Sequence, residues 1–207
     1  MAPRIPPLPK EGRDPKTAEL LEALSAFNGV ELNIFATLAH HPRLLKRWSD
    51  FGGVLLYGGV LPSRERELLI LRTGYLCRAP YEWGQHVAIG LASGLTHDEI
   101  ARVAEGPDAG GWSEADALLL RAVDELHADS TLSDATWASL ASQWDEQQLI
   151  ELCMVVGQYH LVAMTLNSLG VEPETDDFPL LPAFPGHAGR AAAPAPGGSV
   201  ARPDADG

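Results

Sequence analysis

Glu82 and His86 stand four residues apart in "PYEWGQHVAIGLASG", and Pro80 just before them is a favoured first residue of a helix. On such a helix the two side chains share a face, with the carboxylate N-terminal to the imidazole. A neighbouring carboxylate favours the protonated ring, and a histidine biased in this way can hold a proton near neutral pH and deliver it. The spacing describes an exposed helical ion pair equally well, so the pair by itself leaves both readings open.

Glu67 lies in the preceding segment, "SRERELLILRTGYL", which is too apolar to leave all its faces in water, so its carboxylate requires a partner. Arg64, Arg66, Arg72 and Arg78 flank it. One or more is expected to pair with it, and the others either lie on a solvated face or hold an anionic substrate. Glu67, Glu82 and His86 have the residue types of a non-haem metal triad, but nothing else supports that reading, and neither metal nor cofactor is expected. The chain has 2 cysteines, Cys77 and Cys153, each inside an apolar helical pattern. Such thiols are more often packed small residues than nucleophiles.

The elements that must carry these residues read as helices almost throughout. "TAELLEALSAF", "ELNIFATLAHH" and "PRLLKRWSDFGGVLLYGG" lead into the segment of Glu67, with Pro42 opening the third and Gly58–Gly59 closing it. Ser63 is the expected N-cap of the Glu67 helix, and Gly94 stops the His86 helix. Thr96 and Glu99 have the spacing of a capping box. Two more amphipathic helices, "GWSEADALLLRAVDELHADS" and "SDATWASLASQW", precede a long apolar one ending at Gly170. No stretch alternates as a strand would, and the short "CRAP" connection predicts that the Glu67 and His86 helices are adjacent. The expectation is a single-domain, all-α helical bundle over residues 16–181. Residues 1–15, rich in proline, form an extended arm across the surface or a neighbouring subunit. Residues 182–207 lack large apolar side chains and are expected to be disordered.

Composition removes several function classes. With 15 lysines and arginines against 28 aspartates and glutamates, the formal net charge is −13, the wrong sign for a general nucleic-acid binder or for unaided binding to an anionic membrane. A hydrophobic content of 45% in 207 residues is that of one globular domain. The polar, proline-rich start shows no apolar core of a signal peptide, and no uninterrupted apolar run approaches the ~18 residues of a membrane span. The expected localisation is cytoplasmic.

Taken together, "LPSRERELLILRTGYLCRAPYEWGQHVAIGLASGLTHDEI", "HPRLLKRWSDFGGVLLYGG" and "ELCMVVGQYHLVAMTLNSLGV" resemble the carboxymuconolactone decarboxylase family, within the alkylhydroperoxidase D-like superfamily, over roughly residues 30–175. The resemblance implies an all-α fold and assembly into homo-oligomers, from dimer to hexamer. In the superfamily's peroxidase branch a Glu on one helix precedes a Cys-x-x-Cys on the next, with a His four residues after the second cysteine. Those places correspond here to Glu67, Ala79, Glu82 and His86, so both redox cysteines are missing. Peroxidase chemistry through Cys77 is therefore the weaker alternative, since disulfide catalysis requires a second thiol in reach; a non-catalytic oligomeric binding protein is another. The decarboxylase branch implies cofactor-independent acid/base chemistry, as lyase or isomerase, on a small carboxylated lactone or keto acid. Such a reaction requires a cation for the carboxylate, an oxyanion stabiliser and a proton donor. Candidates for these roles are Arg72 or Arg78, Tyr81 and His86, with Glu82 orienting His86 and Glu67 completing the catalytic group, although the family's decarboxylase site is not matched in full.

Overall fold

The computed structural model describes residues 2–175; the tail expected to be disordered lies outside the described residues. Among these, nine helices and no strand are present: α1 (Pro15–Asn28), α2 (Asn33–Leu38), α3 (Pro42–Tyr57), α4 (Ser63–Leu76), α5 (Pro80–Ala92), α6 (His97–Glu105), α7 (Glu114–Asp129), α8 (Asp134–Ala141) and α9 (Glu146–Leu169).

α4 is the hub. Every residue from Glu67 to Gly74 is buried, as a helix that is apolar on all sides must be. Leu69 and Ile70 face a core built with Leu119 and Val123 of α7 and Leu152 and Val155 of α9. Leu68 and Leu71 face a second core with Trp83 and Val87 of α5, Ile100 of α6 and Leu120 of α7. α5 packs directly on α4, as the short connection predicts. The absence of a side chain at Gly90 permits that approach: a Cβ there would lie 3.3 Å from Leu71 Cδ1.

Most helix boundaries follow local chemistry. Pro42 and Pro80 open α3 and α5, Thr96 and Glu99 form a reciprocal capping box at α6, and Gly170 ends α9 in the left-handed conformation at φ 70°. Ser63 departs from expectation. It is the first residue of α4, the cap position falls on Pro62, and no side chain caps that end. The start of α4 is instead held by Arg64, which pairs with Glu99 of α6 and Asp116 of α7. α2 is shorter than the sequence pattern suggests, because Pro42 drives His41 out of helical geometry and the His41 ring then caps α3 by accepting from Leu44 N.

The proline-rich arm lies on its own chain. Arg4 N donates to Leu169 O at 2.8 Å, Leu8 N donates to Ala36 O at 2.9 Å, and Leu8 joins the cluster of Leu21, Ala39 and Leu45. α9 is long and apolar enough to suit a membrane span by composition, but its buried face, including Leu152, Val155, Val156 and Val162, is core. Its outer face leaves Ile150, Met154, Leu161 and Met164 exposed.

Candidate active site

Glu67, on the second turn of α4, has 0% of its surface exposed, and Glu82 and His86 of α5 have 5% and 4%. His86 Nδ1 donates to Glu67 Oε2 at 2.6 Å, and His86 Nε2 lies 3.2 Å from Glu82 Oε1. On the far side of Glu67, Arg66 Nε donates to Oε1 at 3.0 Å. Charge therefore alternates along a buried row: guanidinium, carboxylate, imidazole, carboxylate. Burial alone pushes the His86 ring toward neutrality, but the attraction of Glu67 and then Glu82 outweighs it, and the His86 pKa is raised to about 9. At neutral pH the ring is an imidazolium, and both of its nitrogens carry protons.

The row ends on a cavity of about 560 Å³. Glu82 and His86 are in its wall, whereas Glu67 lies behind them and acts through His86. The remaining wall is mostly apolar, with Ile34, Phe35, Trp48, Leu56 and Val162 among its residues. Tyr159 of α9 meets the His86 ring edge-on, with centroids 4.9 Å apart.

Several predicted positions have other work. Arg72 is not in the cavity wall: its guanidinium pairs with Asp124 of α7 at 2.7 Å and donates to Val103 O and Ala104 O at the end of α6. Gly106, at φ 103°, makes room for it, since a Cβ there would stand 2.9 Å from Arg72 Nη2. Arg78 is exposed in the α4–α5 turn at φ 52° and also lies off the cavity. Tyr81 does line the cavity, but its hydroxyl donates to Glu174 Oε1 at 2.6 Å and accepts from Ile34 N at 3.3 Å. Its proton is thus directed at a carboxylate.

Other polar residues lie in the cavity wall. Trp48 Nε1 and Ser49 Oγ belong to residues of the cavity wall and are buried with no hydrogen-bond partner among the described residues. Buried donors in that state are costly unless something else satisfies them. Lys46 is a second cation in the wall besides His86; its i,i+4 pair with Asp50 is 60% and 54% exposed at the two side chains and holds it weakly. Nothing in the sequence distinguishes Lys46, Trp48 and Ser49 from an ordinary amphipathic α3, because their relation to α5 is purely tertiary.

Residues 42–125 match the sequence profile of the carboxymuconolactone decarboxylase family. Over that segment the chain is similar to this family. The segment spans α3 to most of α7 and includes Glu67, Glu82 and His86. No curated protein matches the chain significantly. Among solved structures, the chain is similar to an alkylhydroperoxidase AhpD core, an uncharacterized peroxidase-related protein from Ralstonia eutropha, at 19% identity and TM-score 0.74, covering 84% of this chain and 94% of that one. A second uncharacterized peroxidase-related protein, from Silicibacter sp., is 14% identical with a TM-score of 0.73 over 86% of this chain and 96% of its own. The debrominase Bmp8, solved with 2,3,4-tribromopyrrole, is 13% identical with a TM-score of 0.70 over 83% and 91%. These likenesses establish the alkylhydroperoxidase D-like fold.

The places that the resemblance gives to a Cys-x-x-Cys pair hold other residues in this chain. Ala79 caps α5 fully buried, and Glu82 holds the position next to His86. Cys77 and Cys153 are both free thiols and neither lines this cavity. Burial raises the Cys77 pKa to about 11, which keeps it in the unreactive thiol form.

Proposed function

We propose that this carboxymuconolactone decarboxylase-like protein is a cofactor-independent acid/base enzyme, a lyase or isomerase acting on a small, largely apolar acid such as a carboxylated lactone or a keto acid. The observation that carries the reading is the buried Glu67–His86–Glu82 row opening on the 560 Å³ cavity. A low-dielectric pocket with a positioned imidazolium on its wall is a place to protonate carbon. In the decarboxylase form of the reaction, the bond from carbon to the carboxylate breaks and CO₂ leaves. The electron pair spreads into the conjugated carbonyl, and the proton of His86 Nε2 is delivered to carbon, with Glu82 returning a proton from solvent. In the isomerase form Glu82 removes a proton and His86 supplies one.

Lys46 is the group suited to steer the substrate carboxylate, and Trp48 Nε1 and Ser49 Oγ are donors suited to an oxyanion. This orientation does not use Arg72 and Arg78, which lie off the cavity, or the Tyr81 hydroxyl, which Glu174 engages. A screen of small carboxylic acids and lactones by thermal shift is expected to find ligands that raise the apparent stability. Incubated in D₂O, the best of them should take up deuterium at carbon or release CO₂. If every ligand that stabilises the protein emerges unexchanged and intact, the enzymatic reading is wrong and a binding function replaces it.

The same reading includes self-association. Ile150, Met154 and Met164 on α9 and Val54 and Tyr57 on α3 are 46–66% exposed, and so much exposed apolar surface favours a second copy as cover. Light scattering should give a multiple of the 22.2 kDa chain mass, and a Met154→Asp, Met164→Asp variant should shift it toward one chain; a monomeric wild type would refute this.

A further inference from the structure

A second group of chemically capable side chains lies outside the cavity of His86. Cys77 follows the last residue of α4, His127 is in the last turn of α7, and His160 is in the middle of α9. One ligand atom from each, the Cys77 sulfur and a ring nitrogen of each histidine, all lie within 4.8 Å of one another. His160 Nδ1–H donates to Val156 O at 2.8 Å, which directs the lone pair of Nε2 outward. That Nε2 lies 2.8 Å from His127 Nδ1. The Cys77 backbone is fixed on both sides: its N–H donates to Thr73 O at 2.9 Å, and its carbonyl accepts from Asn167 Nδ2 at 3.0 Å.

We propose that Cys77, His127 and His160 are the protein ligands of a zinc site. One thiolate and two neutral imidazoles form a borderline donor set that suits Zn²⁺. The His160 ring already shows the outer-shell arrangement of a ligating histidine, with its remote N–H held by a backbone carbonyl. Tetrahedral bonds to zinc place two nitrogens about 3.3 Å apart, and a nitrogen and sulfur about 3.6 Å apart. The His127–His160 separation therefore has to open by only a few tenths of an ångström, and His127, exposed at the helix end, has room to move. On binding, Zn²⁺ loses water ligands, and the Cys77 proton passes to solvent as the Zn–S bond forms. The shared hydrogen bond between the two histidines breaks, leaving the His127 proton on its outer nitrogen.

Three protein ligands leave a fourth position, which is the pattern of a reactive rather than a closed structural zinc. His127 and His160 also form part of the wall of a separate cavity of about 660 Å³, together with Asp134, Trp137 and Cys153. With both histidines bordering that cavity, water or a small anionic or thiol ligand held there would complete the shell. α9 thus serves two sites, with Tyr159 on the cavity of His86 and His160 on this one. The sequence alone leads to no metal, because Cys77 is separated from its partners by 50 and 83 positions along the chain and no ligand spacing is legible.

The test uses the full-length, untagged chain, stripped with a chelator and titrated with Zn²⁺ and, separately, Co²⁺. Expected are one equivalent of saturable binding and a thiolate-to-cobalt charge-transfer band. Cys77→Ser should abolish the band, and His160→Ala or His127→Ala should weaken Zn²⁺ binding by at least about 100-fold, beyond the loss of an outer-shell partner. Cys153→Ser should leave both readouts in place. No saturable binding by the folded wild type, a band that survives Cys77→Ser, or affinity unchanged in His127→Ala would each overturn the proposal. His127 is exposed, so its variant remains informative should Cys77→Ser fail to fold.

Discussion

Replacing His86 with alanine is expected to lower turnover of the substrate by about 10²–10⁴-fold, the range that a positioned general acid or base supplies. The loss should appear in kcat rather than in KM. His86 occupies only a small part of a wall shared among α1, α2, α3, α5 and α9, so ground-state binding is largely retained while the proton donor is gone. The alanine variant also leaves Glu67 buried with Arg66 as its remaining ionic partner, which costs stability. His86→Gln, which keeps a donor to Glu67 but cannot deliver a proton, separates the two effects. Both variants should have lost solvent deuterium incorporation, while His86→Gln keeps more of the native melting temperature. A folded His86→Gln protein that turns over within about threefold of wild type would show that the chemistry lies elsewhere, since two to four orders of magnitude are expected to vanish.

The parts of this molecule legible in its sequence are those governed by neighbours along the chain. Pro80 at the start of α5, the Thr96–Glu99 box and Gly170 at the end of α9 act through the backbone within one turn, and the i,i+4 relation of Glu82 and His86 is fixed once α5 is a helix. The need of Glu67 for a partner was also legible, because a carboxylate in so apolar a helix cannot remain unpaired. That its shortest bond runs to His86 was not, since it depends on how α5 crosses α4. The arginines illustrate the limit more sharply. Arg66 and Arg72 occupy the same helix, yet one completes the buried row and the other ties α4 to α6 and α7 through Asp124, a partner 52 positions away. Tyr81 lines the cavity, but its hydroxyl is claimed by Glu174, 93 positions away. Local pattern therefore identifies which residues can do chemistry, and tertiary packing decides which are at liberty to do it.

Glu67→Gln tests how the buried row works, through its dependence on pH. In the native protein the His86 pKa stands at about 9 against an ordinary value of 6.5, because Glu67 and Glu82 together outweigh the cost of burying the charged ring. The folded state thus holds its proton more tightly than the unfolded chain does. The resulting stabilisation is fully present below pH 6.5 and is lost as pH rises through about 9. At 1.36 kcal/mol per unit it is on the order of 3 kcal/mol. Replacing Glu67 by its neutral amide removes the strongest attraction on the ring and leaves Glu82 to oppose burial alone. Unfolding free energy measured across pH 6 to 10 should then fall less steeply than in wild type. With His86 as proton donor, the alkaline limb of kcat against pH should move from near 9 toward neutrality, while Lys46→Met, whose side chain pairs with Asp50 rather than with the row, leaves the limb in place and raises KM. Equal slopes and an unmoved limb in Glu67→Gln would mean that Glu67 does not control the proton on His86, and that the row is an ion-pair support rather than a proton device.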